Sequence, residues 1–250
     1  MAFESYPKIF ERRGDSYDRA MRLYPAARAQ EFQMILELAR LSPGQLVVDA
    51  PAGGGYLPKH SPTPVHWLAV ETTSVFGGAC THSGIQVLRT ASLTRLPIAD
   101  GAVDCVISLA GVHHMSEEDK AGFYGEVHRI LRPGGRFALA DVHRDSPVAG
   151  FLNGFVHEHN PMGHEGLFLG EHTAGMLAKA GFHVETAQRR HYAWVFPSLQ
   201  AMGHFCRLLF GIEAEDRMVV EAIGELLGFE CRGHSVRMHW DLLGLAAVRR

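Results

Sequence analysis

The chain has 250 residues, 46% of them hydrophobic and 20% charged, and it carries a formal net charge of −3. These values are those of an ordinary globular protein that buries its core without disulfide bonds, and they exclude a general electrostatic attraction to nucleic acid or to anionic membranes. The four cysteines form no CxxC pair, and we identify neither a signal peptide nor an apolar run of 18 residues, so we expect a cytoplasmic protein with reduced thiols.

The hydrophobic pattern predicts alternating strands and helices after a helical N-terminus. Residues 1–42 are expected to be mainly helical, because apolar residues recur at helical spacing until Ser-Pro-Gly breaks the helix. Apolar runs then predict five strands, at 45–50, 66–71, 85–91, 103–111 and 136–142. A helix at about 117–131 precedes the fifth strand and ends at Arg-Pro-Gly-Gly. This order is typical of a parallel, doubly wound sheet.

The C-terminal part is expected to complete the same sheet. The pattern predicts a helix ending at Gly181, a sixth strand at 183–196, two amphipathic helices within 198–229 and a seventh strand at 235–250. The fold class is therefore α/β, with a Rossmann-like, doubly wound sheet of seven strands and helices on both faces. We find no internal repeat and no linker long enough to divide the chain.

A glycine-rich turn follows the first strand, in the segment VVDAPAGGGYL (residues 47–57). Successive glycines cost backbone entropy on folding, but they allow a nucleotide to approach the backbone and a helix N-terminus. A tight turn without a ligand is the alternative. The dinucleotide pattern GxGxxG fails, because Pro58 stands where its last glycine should be. Glu71, at the end of the second strand, can accept hydrogen bonds from ribose hydroxyls, or it is simply a solvated acid.

The segments VVDAPAGGGYL, WLAVE, LTRLPIADGAVDCVISLAGVHHM and EVHRILRPGGRFALADV follow one another over about residues 45–145. In order and spacing they resemble the class I S-adenosylmethionine-dependent methyltransferases, in particular the methyltransferase type 11 group that includes the ubiquinone and menaquinone C-methyltransferases. The resemblance implies an enzyme that transfers the methyl group of S-adenosyl-L-methionine to a small-molecule acceptor by in-line displacement.

The resemblance also implies how the chain is organised. We expect one methyltransferase domain over residues 1–250, with an N-terminal helical cap at 1–42 and a cofactor-binding core at 43–145. The substrate-side half at 146–250 would contain a lid at 146–170 and a helical insertion at 198–231. Part of the insertion is expected to be core, and the rest either roofs the substrate pocket or forms a dimer contact, so both a monomer and a homodimer remain open.

Cofactor-binding residues are implied at the ends of the strands and in the loops that follow. The loop around the methionine part would contain Asp49, Ala50, Pro51, Ala52, Gly53 and Gly55. Glu71 would hold the ribose, Ser92 and Leu93 would lie near the adenine, and Leu109 and Ala110 near the sulfonium. Tyr17, just before a predicted helix of the N-terminal cap, either closes the pocket or only packs beneath a terminal helix.

Two positions depart from the family pattern. Pro51 stands where glycine is usual, although proline also occurs there, and Ser92 stands where an acid often binds the adenine amino group. A neutral hydroxyl is a weaker acceptor than a carboxylate. These departures leave open an alternative function, a protein that binds S-adenosylmethionine or S-adenosylhomocysteine without methyl transfer, as a partner subunit or a sensor.

Histidine is unusually frequent, with 16 residues, and supplies the candidate general bases because its pKa lies near neutrality. His113 and His114 follow the fourth strand, where a cofactor-gating or structural role is also open. His157 and His159 lie in the histidine-rich lid, with His164 nearby. On a strand His157 and His159 would share one face and could bind a metal, but a polar pocket or a solvated loop explains them as well, and we assign no metal ligand.

Two other classes of function are disfavoured. An NAD-dependent oxidoreductase lacks support because the GxGxxG pattern is incomplete and the LPxxDG and LRPGG segments do not belong to it. Methylation of nucleic acid is disfavoured because the chain has no basic stripe and no Asn/Asp-Pro-Pro-aromatic signature for a flipped base.

Overall fold

The computed structural model describes residues 6–250 and contains an eight-stranded sheet flanked by helices. The strands are β1 (Leu46–Asp49), β2 (His66–Glu71), β3 (Gln86–Arg89), β4 (Val103–Leu109), β5 (Leu131–Asp141), β6 (Phe182–Phe196), β7 (Phe229–Arg232) and β8 (Ser235–Arg249). The helices are α1 (Tyr6–Leu23), α2 (Ala29–Ala39), α3 (Ser74–His82), α4 (Glu117–Ile130), α5 (Pro147–Phe151), α6 (His157–His159), α7 (His172–Lys179), α8 (Leu199–Phe210) and α9 (Asp216–Leu226).

The strand order is β3-β2-β1-β4-β5-β8-β6, with β7 paired to β8. Neighbouring strands from β3 to β5 are parallel, whereas β8 runs antiparallel to β5, β6 and β7. The chain order reverses at β1, which has β2 on one side and β4 on the other. Ligands of doubly wound sheets bind beyond the C-terminal strand ends at such a reversal.

The predicted Rossmann-like sheet is confirmed, and one short strand adds to the seven expected. β7 has four residues and forms a hairpin with β8. Its side chains are mostly exposed, and two of them, Glu230 and Arg232, pair with each other. A strand this short and polar has no apolar alternation by which the sequence could reveal it.

The central strands are buried on both faces, as their continuous apolar runs require. Alternate residues enter two different cores, because successive side chains of a strand point to opposite faces. Ile107 of β4 packs in the core that contains α2, α8 and α9, whereas its neighbour Val106 packs in the core that contains α4 and α7. Ser116 and Ser198 cap α4 and α8 by accepting hydrogen bonds from backbone N–H groups.

The N-terminal region folds into α1 and α2. α1 packs on α3 and α8 and brings Tyr6, Phe10 and Tyr17 over the C-terminal end of the sheet. Within residues 6–250, no helix is both long and apolar enough to cross a membrane.

The segment predicted as a lid folds largely as one bent helical stretch. α5 continues into a π-helical segment at Leu152–Val156 and then into α6, and the chain from Asn160 to Glu171 is irregular apart from an isolated bridge. His157 and His159 therefore lie on a helical turn. The strand conformation that would have placed both side chains on one face is wrong, because the apolar residues of 148–156 pack as a helix against the core.

Candidate active site

The glycine loop after β1 brings backbone N–H groups towards the end of β2. Gly53 and Gly55 have φ angles of 54° and 70°, in the left-handed region that side chains disfavour. The N–H of Gly53 donates to Oε2 of Glu71 at 2.9 Å. A Cβ on Gly55 would lie 2.6 Å from Cδ1 of Ile85, so this turn has no room for a larger residue. The glycines thus permit both the turn and the close approach to Glu71.

Glu71 is fully buried and receives hydrogen bonds from two directions. The backbone N–H groups of Thr72 and Thr73 donate to Oε1 at 2.7 and 3.2 Å. Oε2 accepts from Gly53 and from the hydroxyl of Tyr6, the latter at 3.1 Å. Burial raises the pKa of Glu71, although these hydrogen bonds oppose the shift. Tyr6 is the one donor among these that belongs to α1 rather than to the sheet and its loops.

Asp49, at the end of β1, is buried beside Glu71 and receives no hydrogen bond from the described part of the chain. Burial, and next the charge of Glu71, raise the pKa of Asp49 to about 8. A buried carboxylate without a donor costs free energy, which a positively charged ligand would offset. Asp49 is therefore suited to a cationic group placed above β1.

A cavity of about 510 Å³, here called the glycine-loop cavity, opens above β1 and β4. Of the residues expected to bind the cofactor, those that line it are Tyr17, Asp49, Pro51, Ala52, Gly53, Leu109 and Ala110. Tyr6 and Phe10 of α1 and Phe76 of α3 are among the other residues of its wall.

The remaining expected cofactor residues, Glu71 among them, lie outside this lining. Ala50 is buried behind the loop, and Gly55 packs against Cys80 and Ile85. Leu93 is buried in the core on the α4 side of the sheet. The hydroxyl of Ser92 is held at 2.8 Å from that of Thr94 and accepts from the N–H of Thr94, so it is committed to its own turn.

A second cavity of about 520 Å³, here called the aromatic cavity, adjoins the first. The two cavities share four lining residues, Phe10, Tyr17, Arg28 and Ala110. Ala110 follows β4 with a φ of 50°, a conformation uncommon for a residue with a side chain. Molecules bound in the two cavities would therefore meet near Ala110.

Stacked aromatic side chains form one wall of the aromatic cavity. The rings of Trp194 and Trp240 lie 4.1 Å apart at 21°, and Phe210 stacks on Trp240 at 5.9 Å and 16°. Glu31 accepts a hydrogen bond from the indole N–H of Trp194 at 2.6 Å and forms a buried ion pair with Arg28. Because these polar groups are paired within the wall, the surface offered to a ligand is flat and largely apolar.

Three buried histidines stand opposite this wall: His113, His114 and His164. One ring nitrogen of each lies within 4.8 Å of those of the other two. Nδ1 of His113 is 2.7 Å from Oδ1 of Asp141, and Nδ1 of His164 is 2.9 Å from Oδ1 of Asn153. Each of these two rings is thus fixed by a hydrogen bond on its Nδ1 side.

Burial decides the charge of this cluster. It lowers the pKa of His114 and of His164 well below the ordinary histidine value, and the charge of His113 adds to the effect. Both rings are therefore neutral near neutral pH. Burial alone would raise the pKa of Asp141, but the charge and hydrogen bonds of His113 outweigh it and lower that pKa.

The structure brings His113 and His114 together but separates them from the other two predicted bases. Nδ1 of His157 lies 3.1 Å from the backbone N of His164, which donates to it. Nδ1 of His159 lies 2.9 Å from the backbone oxygen of Phe155, and its ring stacks on the Phe155 ring. Neither of these histidines lines the aromatic cavity. His157 instead helps to hold the backbone of His164.

Several residues of the site were missed by sequence reasoning. Asp141 ends β5 at the same edge of the sheet as Asp49 and Glu71, so the position of an acid at a parallel strand end was a usable signal. Tyr6, Arg28, Glu31, Asn153, Trp194 and Trp240 reach the site from separate elements, and no local motif marks them.

A strand order that reverses at β1, a glycine loop after β1 and a buried acid at the end of β2 define a class I methyltransferase-like, Rossmann-type protein. Comparison with known proteins agrees, since residues 67–139 match the family model described as a methyltransferase domain. The match shows a methyltransferase domain over residues 67–139, and proteins similar to this chain are named methyltransferases. S-adenosylmethionine-dependent methyltransferases take their methyl group from S-adenosyl-L-methionine as cofactor.

Three similar proteins illustrate this relationship. An uncharacterized methyltransferase of Synechocystis is 33% identical over 137 residues, which are 50% of this chain and 63% of that protein. A Haloferax volcanii structure, named a complex of the Trm112 methyltransferase activator with a methyltransferase, has a chain that matches with a TM-score of 0.67, 18% identity and 98% coverage of both chains. Haemonchus contortus phosphoethanolamine N-methyltransferase 2, crystallised with phosphomonomethylethanolamine and S-adenosylhomocysteine, matches with a TM-score of 0.64 and 13% identity over 98% of this chain and 60% of that one.

The residues present fit the family's cofactor. Asp49 is a buried carboxylate without a hydrogen-bond donor, and S-adenosylmethionine carries a sulfonium and an ammonium group. The glycine loop supplies a cavity wall of backbone. Glu71, the acid expected at the ribose, accepts a hydrogen bond from the N–H of Gly53 but lies outside the cavity lining. The adenine side is less complete, because Ser92 and Leu93 do not face the cavity.

Proposed function

We propose that this protein transfers a methyl group from S-adenosylmethionine to a small, flat and largely apolar acceptor bound in the aromatic cavity. The observation that carries the proposal is the shared wall of the two cavities at Ala110. Direct displacement requires the two reactants to be in contact and in line, which adjoining cavities permit. When bound, the cofactor supplies an activated methyl group on sulfur, so no nucleophile of the protein is required.

On the donor side, Asp49, Gly53 and Glu71 would hold the cofactor, and burial of the cavity beneath α1 would exclude water from the sulfonium. Exclusion of water favours this reaction because the positive charge disappears in it. On the acceptor side, stacking between Trp240 and a flat molecule would orient the reacting atom towards Ala110.

We infer that His113 takes the proton of a hydroxyl or acidic carbon on the acceptor. Asp141 holds the His113 ring by Nδ1, which leaves Nε2 as the basic nitrogen. An acid that orients a histidine and stabilises its charged form is the arrangement used in catalytic triads. His113 would act as the base, and Asp141 as the residue that positions it.

The alternative is a protein that binds the cofactor without using it, as a partner subunit or a sensor. Two observations favour it: Tyr6 already occupies an oxygen of Glu71, and the hydroxyl of Ser92 is committed to its own turn. Both functions require cofactor binding, and only the enzyme forms S-adenosylhomocysteine when an acceptor is present.

The first test is calorimetric titration with S-adenosylmethionine, S-adenosylhomocysteine and NAD. The proposal expects binding of the first two and none of NAD, with both lost in a folded Glu71→Ala variant. A screen of small aromatic phenols, amines and carbon acids, read as S-adenosylhomocysteine formation, then distinguishes enzyme from sensor. Absence of cofactor binding by the folded wild type would refute both functions.

A further inference from the structure

We propose that His113, His114 and His164 form a binding site for a divalent transition metal ion, with Zn²⁺ as the first candidate, whose open coordination position faces the aromatic cavity. One nitrogen of each ring already lies within 4.8 Å of the others. Zn–N bonds of about 2.0–2.1 Å in a tetrahedral site place ligand nitrogens roughly 3.4 Å apart, so small rotations of buried side chains would complete it.

Hydrogen bonds to neighbouring residues fix which nitrogen two of these rings present. Oδ1 of Asn153 accepts from the backbone N–H of Gly166 at 2.8 Å, which identifies it as an acceptor. Nδ1 of His164 must therefore donate to it, and Nε2 of His164 keeps its lone pair. Asp141 imposes the same tautomer on His113. A carboxylate or amide oxygen behind a histidine is the usual outer support of a metal-ligating ring.

His114 supplies the third nitrogen and has no other assigned use. Its ring is buried against Tyr6, Phe10 and His113, and no described residue makes a hydrogen bond to either of its nitrogens. His114 lines the aromatic cavity, so its ring is within reach of a ligand bound there. A ligand that contacts all three rings would bind this ring as well, and a metal ion does so with the lone pairs that are available.

The ligand atoms of the cluster indicate which kind of ion it would bind. Asp141 contributes a negative charge behind His113, while Arg13 lines the same cavity from α1 with a positive one. Hard cations such as Mg²⁺ and Ca²⁺ require oxygen ligands, of which this cluster offers none in front. Zn²⁺ and Co²⁺ bind neutral imidazole strongly, and a set of three histidines with one free position is typical of catalytic rather than structural zinc.

The consequence for catalysis rests on the proposed function. An acceptor oxygen at the free position would lose its proton to water at lower pH, because a metal ion lowers the pKa of a bound O–H group. His113 would then be a ligand. The ion rather than the His113 ring would favour the deprotonated form of the acceptor, whose anionic oxygen attacks the methyl carbon. The acceptor class most consistent with this site is a phenol, an enol or another flat molecule with one acidic hydroxyl.

The experiment is metal binding by the chelator-treated full-length protein. Co²⁺ is titrated while visible absorption is recorded, and Zn²⁺ content is measured after equilibration and desalting. We expect one ion per chain and the intense bands of four-coordinate Co²⁺, both lost in His164→Gln and in His114→Gln. The control is His143→Ala, because His143, Asp145 and Glu171 form the other described group able to hold an ion, which is partly exposed.

The outcomes separate the two proposals. The metal site is overturned if the wild type binds no stoichiometric Co²⁺ or Zn²⁺. It is also overturned if binding survives in both glutamine variants and disappears in His143→Ala. Titration with S-adenosylhomocysteine is performed on the same samples, so that cofactor binding without metal refutes only the metal site. Should the glutamine variants fail to fold, the Co²⁺ spectrum of the wild type decides, because weak six-coordinate bands from oxygen ligands would contradict three buried histidines.

Discussion

The hydroxyl of Tyr6 donates to Oε2 of Glu71 at 3.1 Å, across 65 positions of the chain. This bond ties α1 to the carboxylate that is proposed to hold the ribose. The cofactor and the N-terminal helix would therefore compete for one oxygen. Because the same oxygen also accepts from Gly53, loss of Tyr6 would still leave Glu71 held in place.

Replacing Tyr6 with phenylalanine is accordingly expected to tighten binding of S-adenosylhomocysteine by about tenfold. A hydrogen bond to a charged acceptor contributes about 1.5 kcal/mol or more. The cofactor must displace the bond from Tyr6 to Glu71 in the wild type, whereas in the variant this bond is absent. Calorimetry measures the change. Tyr24→Phe is the matched control, since its hydroxyl bonds to His204 away from both cavities. Weaker binding by Tyr6→Phe would mean that Tyr6 helps to hold the cofactor.

The raised pKa of Asp49 predicts how stability and cofactor affinity depend on pH. Its pKa is raised from an ordinary 3.8 to about 8, so the folded protein binds a proton that the unfolded chain releases in this interval. The free energy of unfolding without ligand should therefore fall as the pH rises from about 4 to 8. Affinity for cationic S-adenosylmethionine should rise over the upper part of the same interval, by at most about tenfold per pH unit.

Thermal unfolding and calorimetry from pH 6 to 9, on wild type and Asp49→Asn, measure both effects. The asparagine variant keeps the size of the side chain but cannot ionise. We expect its stability and its affinity to lose the dependence on pH attributed to Asp49. A wild-type affinity that stays constant over this interval would contradict a role for Asp49 in binding the cationic cofactor.

The Asp141→Asn variant tests the positioning of His113. The asparagine amide can donate to Nδ1, which favours the wrong tautomer of the ring. We expect turnover to fall by about 10²–10⁴-fold with little change in cofactor affinity. The pH profile of kcat should shift as well, which a merely structural defect would not produce. Equal activity of the two proteins on an identified acceptor would remove His113 and Asp141 from the mechanism.

The ion pair of Arg28 and Glu31 predicts a loss of stability. Both side chains are almost completely buried, and Glu31 also accepts from Trp194. Glu31→Ala leaves the guanidinium buried without its partner, at a cost of about 3–5 kcal/mol in denaturant unfolding. Glu221→Ala is the control, because the pair of Arg217 and Glu221 is exposed and should contribute about 0.5 kcal/mol or less.

Sequence alone predicted the fold and seven of the fifteen residues that line the glycine-loop cavity, because these features are mostly local. The strand runs, the helix-breaking Arg-Pro-Gly-Gly and the loop before Tyr56 each lie within a few positions. The order of motifs then located Asp49, Glu71 and Ala110. Their positions at one edge of the sheet follow from the parallel strand order, which reverses at β1.

The aromatic cavity could not be predicted in the same way, because distant segments build it. Trp194 comes from β6, Trp240 from β8 and Arg28 from just before α2, and only tertiary packing brings them together. The two predicted bases in 157–159 illustrate the same limit. A cluster of histidines in sequence indicated a site, but helical geometry turned His157 towards the backbone of His164 and left His164 to face the cavity.

Phe10 and Tyr17, both on α1, line both cavities. One helix would therefore be a common wall of the proposed cofactor and acceptor sites. A ligand that orders α1 in one site would change the affinity of the other site. Such sharing makes the two binding events reciprocal: each ligand changes the affinity for its partner by the same factor. In the proposed enzyme, binding of the acceptor would thereby also affect how tightly α1 covers the methyl group of the cofactor.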